Sequence, residues 1–319
     1  MQPVLETTLR ARPPYSLALS ARMRSDATRV LRDRDLTLAY EAEGPCLARV
    51  RQLPDGPLEV RIESPRPREA LERLRFVLAV DDDHTPFLRE FAGDPLLEER
   101  IRTLRGLRPL RTATVAHALL KAVCGQLIQA KAARLLEAKL LRMAAPTHED
   151  LRLPPTRATF AGFAPAELVR SGLAARKAAT LVRLSRAFDV ERLHAVSTAV
   201  AGDRIERERG LGPWSAGMIC LFGLGRYERG LVGDLGLIKL CSSFLGRRAE
   251  QEDTAELLAP YGEWAGLASV YLLAGAKAEG YSFSRSNGNR MTSRMVSRPV
   301  STMASRSIPR PSPPVGGIP

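Results

Sequence analysis

The hydrophobic period of this chain changes near residue 94 and stays changed. Before that point LTLAYEAEG (36–44), CLARVRQL (46–53) and LEVRIES (58–64) alternate apolar and polar residues. Gly44-Pro45 and Pro54-Asp55-Gly56 separate them. Alternation puts one set of side chains on each face of a strand, and these turn residues break strands apart, so an antiparallel sheet is predicted. EALERLRFVLAV (69–80) then reads as a helix. From DPLLEERIRTLRGLRPL (94–110) onward the apolar residues recur at helical spacing. VAHALLKAVCGQLIQAKAARLLEAKLLRM (115–143) is one long helix or two broken near Gly125. Further helical segments lie at 166–173, 176–188, 215–225, 235–245 and 263–280, with a Pro- and Thr-rich loop at 145–160. The predicted fold class is α+β. Residues 1–105 form an N-terminal α+β domain with a small antiparallel sheet, and 106–280 an all-helical domain. Residues 281–319 are a tail whose few large apolar side chains cannot offset the entropy of ordering it.

The net charge of +13 points to a polyanionic partner, nucleic acid or an anionic membrane surface. The tail carries six arginines and no acid, which leaves +7 on residues 1–280, so the body is basic by itself. Cys46, Cys124, Cys220 and Cys241 are scattered, with no C-x-x-C pair. Neither a disulfide framework nor an iron–sulfur site is expected, and a reducing cytosol is. The four histidines are isolated and form no zinc motif. No apolar run has the length of a membrane span, and the N-terminus lacks a signal-peptide core.

The chemistry-bearing stretch is RIERERGLGPWSAGMICLF (204–222). Gly210-Leu211-Gly212 joins two helical patterns, and Pro213 suits the first position of the second. Such a turn lets backbone N–H groups approach a phosphate, though by itself it is equally an ordinary helix connection. Asp234, before the next helix, reads on local pattern as an N-cap. Trp214 and Met218 are four apart and share a helix face. Trp214 and Trp264 are the two tryptophans of the chain, and both suit a core as well as a pocket. Leu127, in a segment full of Leu and Ala, reads locally as core.

GLGPWSAG (210–217) followed by VGDLGLIK (232–239) resembles the helix-hairpin-helix DNA glycosylase superfamily, with the nearest likeness to the DNA-3-methyladenine glycosylase II family. The resemblance covers most of residues 1–280. It includes PPYSLALS (13–20), FAGDPLLEERIRTLRGLRP (91–109), AVCGQLIQAKAARLL (122–136), SGLAARKAATLVRLS (171–185) and EWAGLASVYLLAG (263–275). It implies a helix-hairpin-helix glycosylase domain and a monomer acting on double-stranded DNA with alkylated bases. The location implied is cytoplasmic and nucleoid-associated, and no cofactor or metal is implied. The catalytic residue falls on Asp234 and the base pocket on Trp214, Met218 and Trp264. DNA contacts fall on Gln126, Leu127, Gly210, Leu211, Gly212 and Lys239, with Leu127 wedging into the gap left by a flipped base. Three departures bear on base preference: Met218 stands for a Tyr, Ala265-Gly266 for an Arg-Ser pair, and Gln129 for a Ser or Thr.

The reaction implied is hydrolysis of the N-glycosidic bond of alkylated purines, 3-methyladenine and 7-methylguanine, by base flipping in base excision repair. A cationic base leaves readily, and an ionised carboxylate at Asp234 stabilises the sugar cation and orients a water. Relatives that also cut the backbone carry Lys two residues after the second hairpin Gly. Trp214 stands there, which implies a monofunctional enzyme and leaves Lys239 as the weaker candidate nucleophile. Two rivals stay open. One is a non-catalytic helix-hairpin-helix module gripping distorted or damaged DNA, and the other an interaction protein working through its basic tail.

Overall fold

The computed structural model describes residues 2–22, 26–54 and 56–275; the tail expected to be disordered lies outside them. Five antiparallel strands form one sheet: β1 (Val4–Leu9), β2 (Arg29–Arg32), β3 (Asp35–Glu41), β4 (Pro45–Gln52) and β5 (Leu58–Glu63). Their order is β1-β5-β4-β3-β2. The three alternating segments are β3, β4 and β5. Leu58, Val60 and Ile62 face the core and Glu59 and Arg61 face solvent, as a period of two demands. Helix α1 (Leu17–Ala21) and helix α2 (Pro67–Leu78) cover the apolar face with Leu17, Ala70, Leu74, Val77 and Leu78. The fold class is therefore α+β, and the chain beyond the sheet is mostly helical.

Short helices α3 (Thr85–Glu90) and α4 (Glu98–Thr103) lead to α5 (Val115–Gly125) and α6 (Ala130–Ala144). The long helical pattern is thus two helices, broken at residues 126–129 just past Gly125. A small hairpin, β6 (Thr147–His148) with β7 (Leu151–Arg152), lies in the Pro- and Thr-rich loop. Next along the chain are α7 (Arg157–Ala161), α8 (Pro165–Arg170), α9 (Ala175–Ala187), a 3-10 turn at Val190–Ala195, α10 (Thr198–Glu206) and α11 (Pro213–Ile219). A π-helical turn, Cys220–Leu224, extends α11. Then come α12 (Leu235–Leu245), α13 (Gln251–Leu258), a 3-10 turn at Ala259–Trp264 and α14 (Ala265–Gly275). One core gathers α5, α9, α10 and α11. A second joins Phe87, Phe91 and Leu97 to α12, α13 and α14. No helix among the described residues is long and apolar enough to cross a membrane.

Helix α5 is anchored at both ends. Thr114 Oγ1 accepts the His117 amide at 3.1 Å, and the Glu191 carboxylate accepts the amides of Val115 and Ala116 at 3.1 and 2.9 Å, which satisfies donors a helix start leaves open. Along its length, Lys121 holds Asp26 at 2.9 Å and Glu137 of α6 at 2.7 Å, and His117 donates Nε2–H to Glu137 at 2.7 Å. The histidine that the sequence left isolated thus sits in a buried polar cluster. Asp26, His117 and Glu137 lie close enough together to share a cation, and the Lys121 ammonium already supplies the positive charge there. Burial opposes ionisation of Asp26 and Glu137, yet Lys121, with Arg29 at Asp26 and His117 at Glu137, holds both below the ordinary carboxylate range.

Two buried histidines make the fold acid-sensitive. Burial, with Arg108 beside it, pushes His84 down from 6.5 to about 3, and burial also lowers His117. A group whose pKa is lower when folded leaves stability intact above 6.5. Between 6.5 and about 3 the unfolded chain binds the proton and the native chain does not, so stability falls with pH across that window. In urea titrations His84→Gln is expected to remove one proton from that linkage, a slope of about 1.4 kcal/mol per pH unit. Equal slopes for wild type and variant between pH 6 and 4 would contradict this.

Candidate active site

The Gly-Leu-Gly turn is built as a hairpin between α10 and α11. Gly210 has φ +93°, and a Cβ there would lie 2.5 Å from Thr180 Oγ1 of α9, so both conformation and space require glycine. Leu211 turns inward to the core shared by Ile205 and Ala216. Gly212 caps α11, and Pro213 occupies its first turn, where the lost N–H has no intrahelical partner. Arg183 of α9 clamps the turn from below, pairing with Glu208 at 2.7 Å and donating to the Arg209 carbonyl at 2.8 Å.

Asp234 lies at this hairpin. It is the N-cap of α12, with Oδ1 accepting the Gly236 amide at 2.8 Å. Its other oxygen, Oδ2, accepts the indole Nε1–H of Trp214 at 2.9 Å. The capping role read from local sequence and proximity to the hairpin helix are therefore both met by one carboxylate. The helix start contributes its positive dipole end at the same place. Lys239 is exposed on α12, five residues on.

Gln126 and Leu127 form the turn between α5 and α6. Gln126 Nε2 donates to the Gly210 carbonyl at 2.7 Å and to Ser215 Oγ at 3.1 Å, tying this turn to the hairpin. Leu127 has φ +57° and is 87% exposed. A leucine with a left-handed backbone and a bare side chain packs no core, which removes the local reading of it as core. Sequence reasoning gave no role to Lys177, whose ammonium donates to the carbonyls of Cys124 at 3.2 Å and Gln126 at 2.7 Å. It caps the negative end of α5 and holds the Leu127 turn, and burial pulls its pKa below the ordinary value. The sequence signal for it was its place in SGLAARKAATLVRLS (171–185).

Trp214 and Met218 are half-buried where the two helical cores meet, and Trp264 packs against the second of these. The Trp264 ring stacks on Tyr227, centroids 6.0 Å apart and planes 27° apart, and meets Phe87 at 6.0 Å. Tyr227 is itself anchored: its hydroxyl donates to Asp82, which Arg111 also grips, and His84 lies 3.0 Å from the phenol oxygen. The phenol proton goes to Asp82, so His84 presents Nε2–H, the neutral form that its burial favours. Tyr227, Asp82 and His84 support the Trp264 ring and were not singled out by sequence, because Asp82 and His84 are 145 and 143 residues from Tyr227. Ala265 is buried, and the Gly266 amide donates to the Tyr227 carbonyl at 2.7 Å.

The fold is shared with solved DNA glycosylases. The chain superposes on the 3-methyladenine DNA glycosylase from Archaeoglobus fulgidus with a TM-score of 0.75 and 20% identity, over 86% of this chain and 100% of that one. It also superposes on the 8-oxoguanine glycosylase/lyase of Clostridium acetobutylicum, solved with double-stranded DNA, with a TM-score of 0.72 and 15% identity, over 87% and 98% of the chains. In sequence it is similar to the DNA-3-methyladenine glycosylase of Bacillus subtilis (strain 168), 24% identical over 204 residues, 60% of this chain and 67% of that protein. No family model matches the chain. These likenesses agree with the family that the hairpin and Asp234 motifs resemble.

Proposed function

We propose that this chain is a DNA glycosylase acting on damaged bases, and more narrowly a monofunctional one that flips alkylated purines out of the duplex and hydrolyses their N-glycosidic bond. The observation that carries the reading is the Asp234 carboxylate, bonded to the helix that opens at the Gly210-Leu211-Gly212 turn. The hairpin, read as a phosphate contact, and the carboxylate are joined through Trp214, and Leu127 stands bare on the turn that Gln126 ties to the hairpin, which supports this reading. The names of the similar proteins support the glycosylase class.

The chemistry follows from charge. An N-alkylated purine is a cation, and as its bond to C1′ breaks, the bonding pair leaves with the base and the sugar gains oxocarbenium character. Asp234 faces that charge with oxygens that each hold one donor and retain lone pairs. Water then bonds to C1′ and loses its proton to the carboxylate or to solvent. Half-buried Trp214, Met218 and Trp264 supply apolar and π surface suited to a cationic base. Trp214 in place of a Lys supports a monofunctional reaction, since an indole forms no Schiff base. Lys239, exposed on α12, would meet phosphate. Base excision repair is the setting such a reaction serves.

The test is a release assay on methylated duplex DNA with chromatographic identification of the freed base. Free 3-methyladenine and 7-methylguanine are expected, with strands intact until alkali is added. Binding to abasic DNA without any base release would leave the non-catalytic module instead. Strand cleavage without alkali would overturn the monofunctional assignment.

A further inference from the structure

We propose that Trp214 is a positioning residue for Asp234, held in place by its contact with Gly125, so that the wedge turn and the catalytic carboxylate share one rigid frame; this rests on the reading of Asp234 as the catalytic carboxylate. An Asp carboxylate turns on a soft, broad terminal torsion, and the N-cap bond to Gly236 fixes only Oδ1. The indole Nε1–H at 2.9 Å fixes Oδ2 as well, which sets the plane of the group. A carboxylate aimed by two donors presents the same lone pairs to the sugar at every turnover, and misplacement by about 1 Å costs about 10²-fold in rate.

What holds the indole is at its other end. Gly125 is the last residue of α5, and a Cβ there would lie 2.7 Å from Trp214 Cη2, inside any van der Waals contact. Its φ is not among the positive values of this chain, so glycine is required there for space. The rigid bicycle therefore bridges the α5 C-terminus and the α12 N-terminus. Gln126, the next residue, is bonded to Gly210 and Ser215 on either side of Trp214. Displacing residues 125–127 must move the indole, and moving the indole releases Oδ2. The polar edge of Trp214 thus serves the carboxylate, a task distinct from walling the base.

The test is single-turnover base release, with affinity for duplex DNA bearing an abasic-site analogue measured alongside. Trp214→Phe keeps an aromatic ring and removes the N–H. Its rate is expected to fall about 10- to 100-fold with affinity for the abasic duplex within about twofold of wild type. Gly125→Ala is expected to lower the rate by pushing the ring tip. In the Trp214→Phe background, where the smaller ring no longer reaches Gly125, the same alanine should have no further effect. Residues that act through one contact are non-additive in this way, whereas a general packing defect adds. Asp234→Asn is run in parallel. If it abolishes release while Trp214→Phe works at the wild-type rate, the positioning role is wrong and the function stands. Additive losses in the double variant also overturn the role. If Asp234→Asn keeps full activity, the reading of the catalytic carboxylate itself fails.

Discussion

Asp234→Asn is expected to lower base release by at least about 10²- to 10³-fold, the range seen when one preorganised electrostatic group is taken from a transition state. Affinity for abasic duplex DNA should stay near that of the wild type. The substitution keeps the shape of the side chain and removes its charge, so the loss falls on the sugar cation and not on the phosphate contacts. The amide also keeps one acceptor oxygen, enough for either the Gly236 amide or the Trp214 indole, but not for both. One donor pair is left facing each other at a half-buried site, which costs about 1–3 kcal/mol and shows as a lower melting temperature. That drop must be distinguished from unfolding, which retained affinity for abasic DNA does. Single-turnover kinetics on methylated duplex is the measurement. Release at a rate close to wild type would remove Asp234 from the reaction.

Legibility in the sequence depended on the range of the forces involved. Strands β3, β4 and β5 were legible because one face is buried and the other wet, which writes a period of two into the chain. Strand β1 escaped: it lies at the edge of the sheet, most of its residues are at least partly exposed, and VLETTL carries little contrast. Strand β2 is four residues long and begins with a buried Arg29 that donates to the Arg111 carbonyl 82 residues away. The turn at 210–212 was legible since its glycines and proline are local requirements, but local pattern did not separate a phosphate-binding hairpin from an ordinary helix connection. The break in the long helical pattern was legible only roughly, because the left-handed Leu127 that makes it has no signature in a leucine-rich segment. Proximity of Asp234 to the hairpin came from resemblance. The Trp214 bond that accomplishes it joins residues twenty apart through tertiary packing, which no local pattern encodes.

Leu127 is a position at which function and stability can be separated. A side chain with Cβ in the left-handed region costs about 1–2 kcal/mol, and an 87% exposed leucine recovers almost none of it by burial. The strain persists because Lys177 pins the carbonyls of Cys124 and Gln126 while Gln126 is bonded across to the hairpin. Leu127→Gly relieves the strain and loosens the unfolded chain by a comparable amount, so stability should change by no more than about 0.5–1 kcal/mol. Leu127→Asn, a residue that tolerates the same backbone region, should behave likewise. On duplex DNA both variants are expected to release base about 10- to 100-fold more slowly, because an apolar wedge recovers part of the few kcal/mol that unstacking a base costs. On single-stranded DNA there is no stack to refill, and the same variants should match wild type. Melting temperature and the duplex-to-single-strand rate ratio decide the matter together. A fall in both substrates alike, or one that tracks a loss of melting temperature, would return Leu127 to an ordinary loop residue and leave its strained backbone without a purpose.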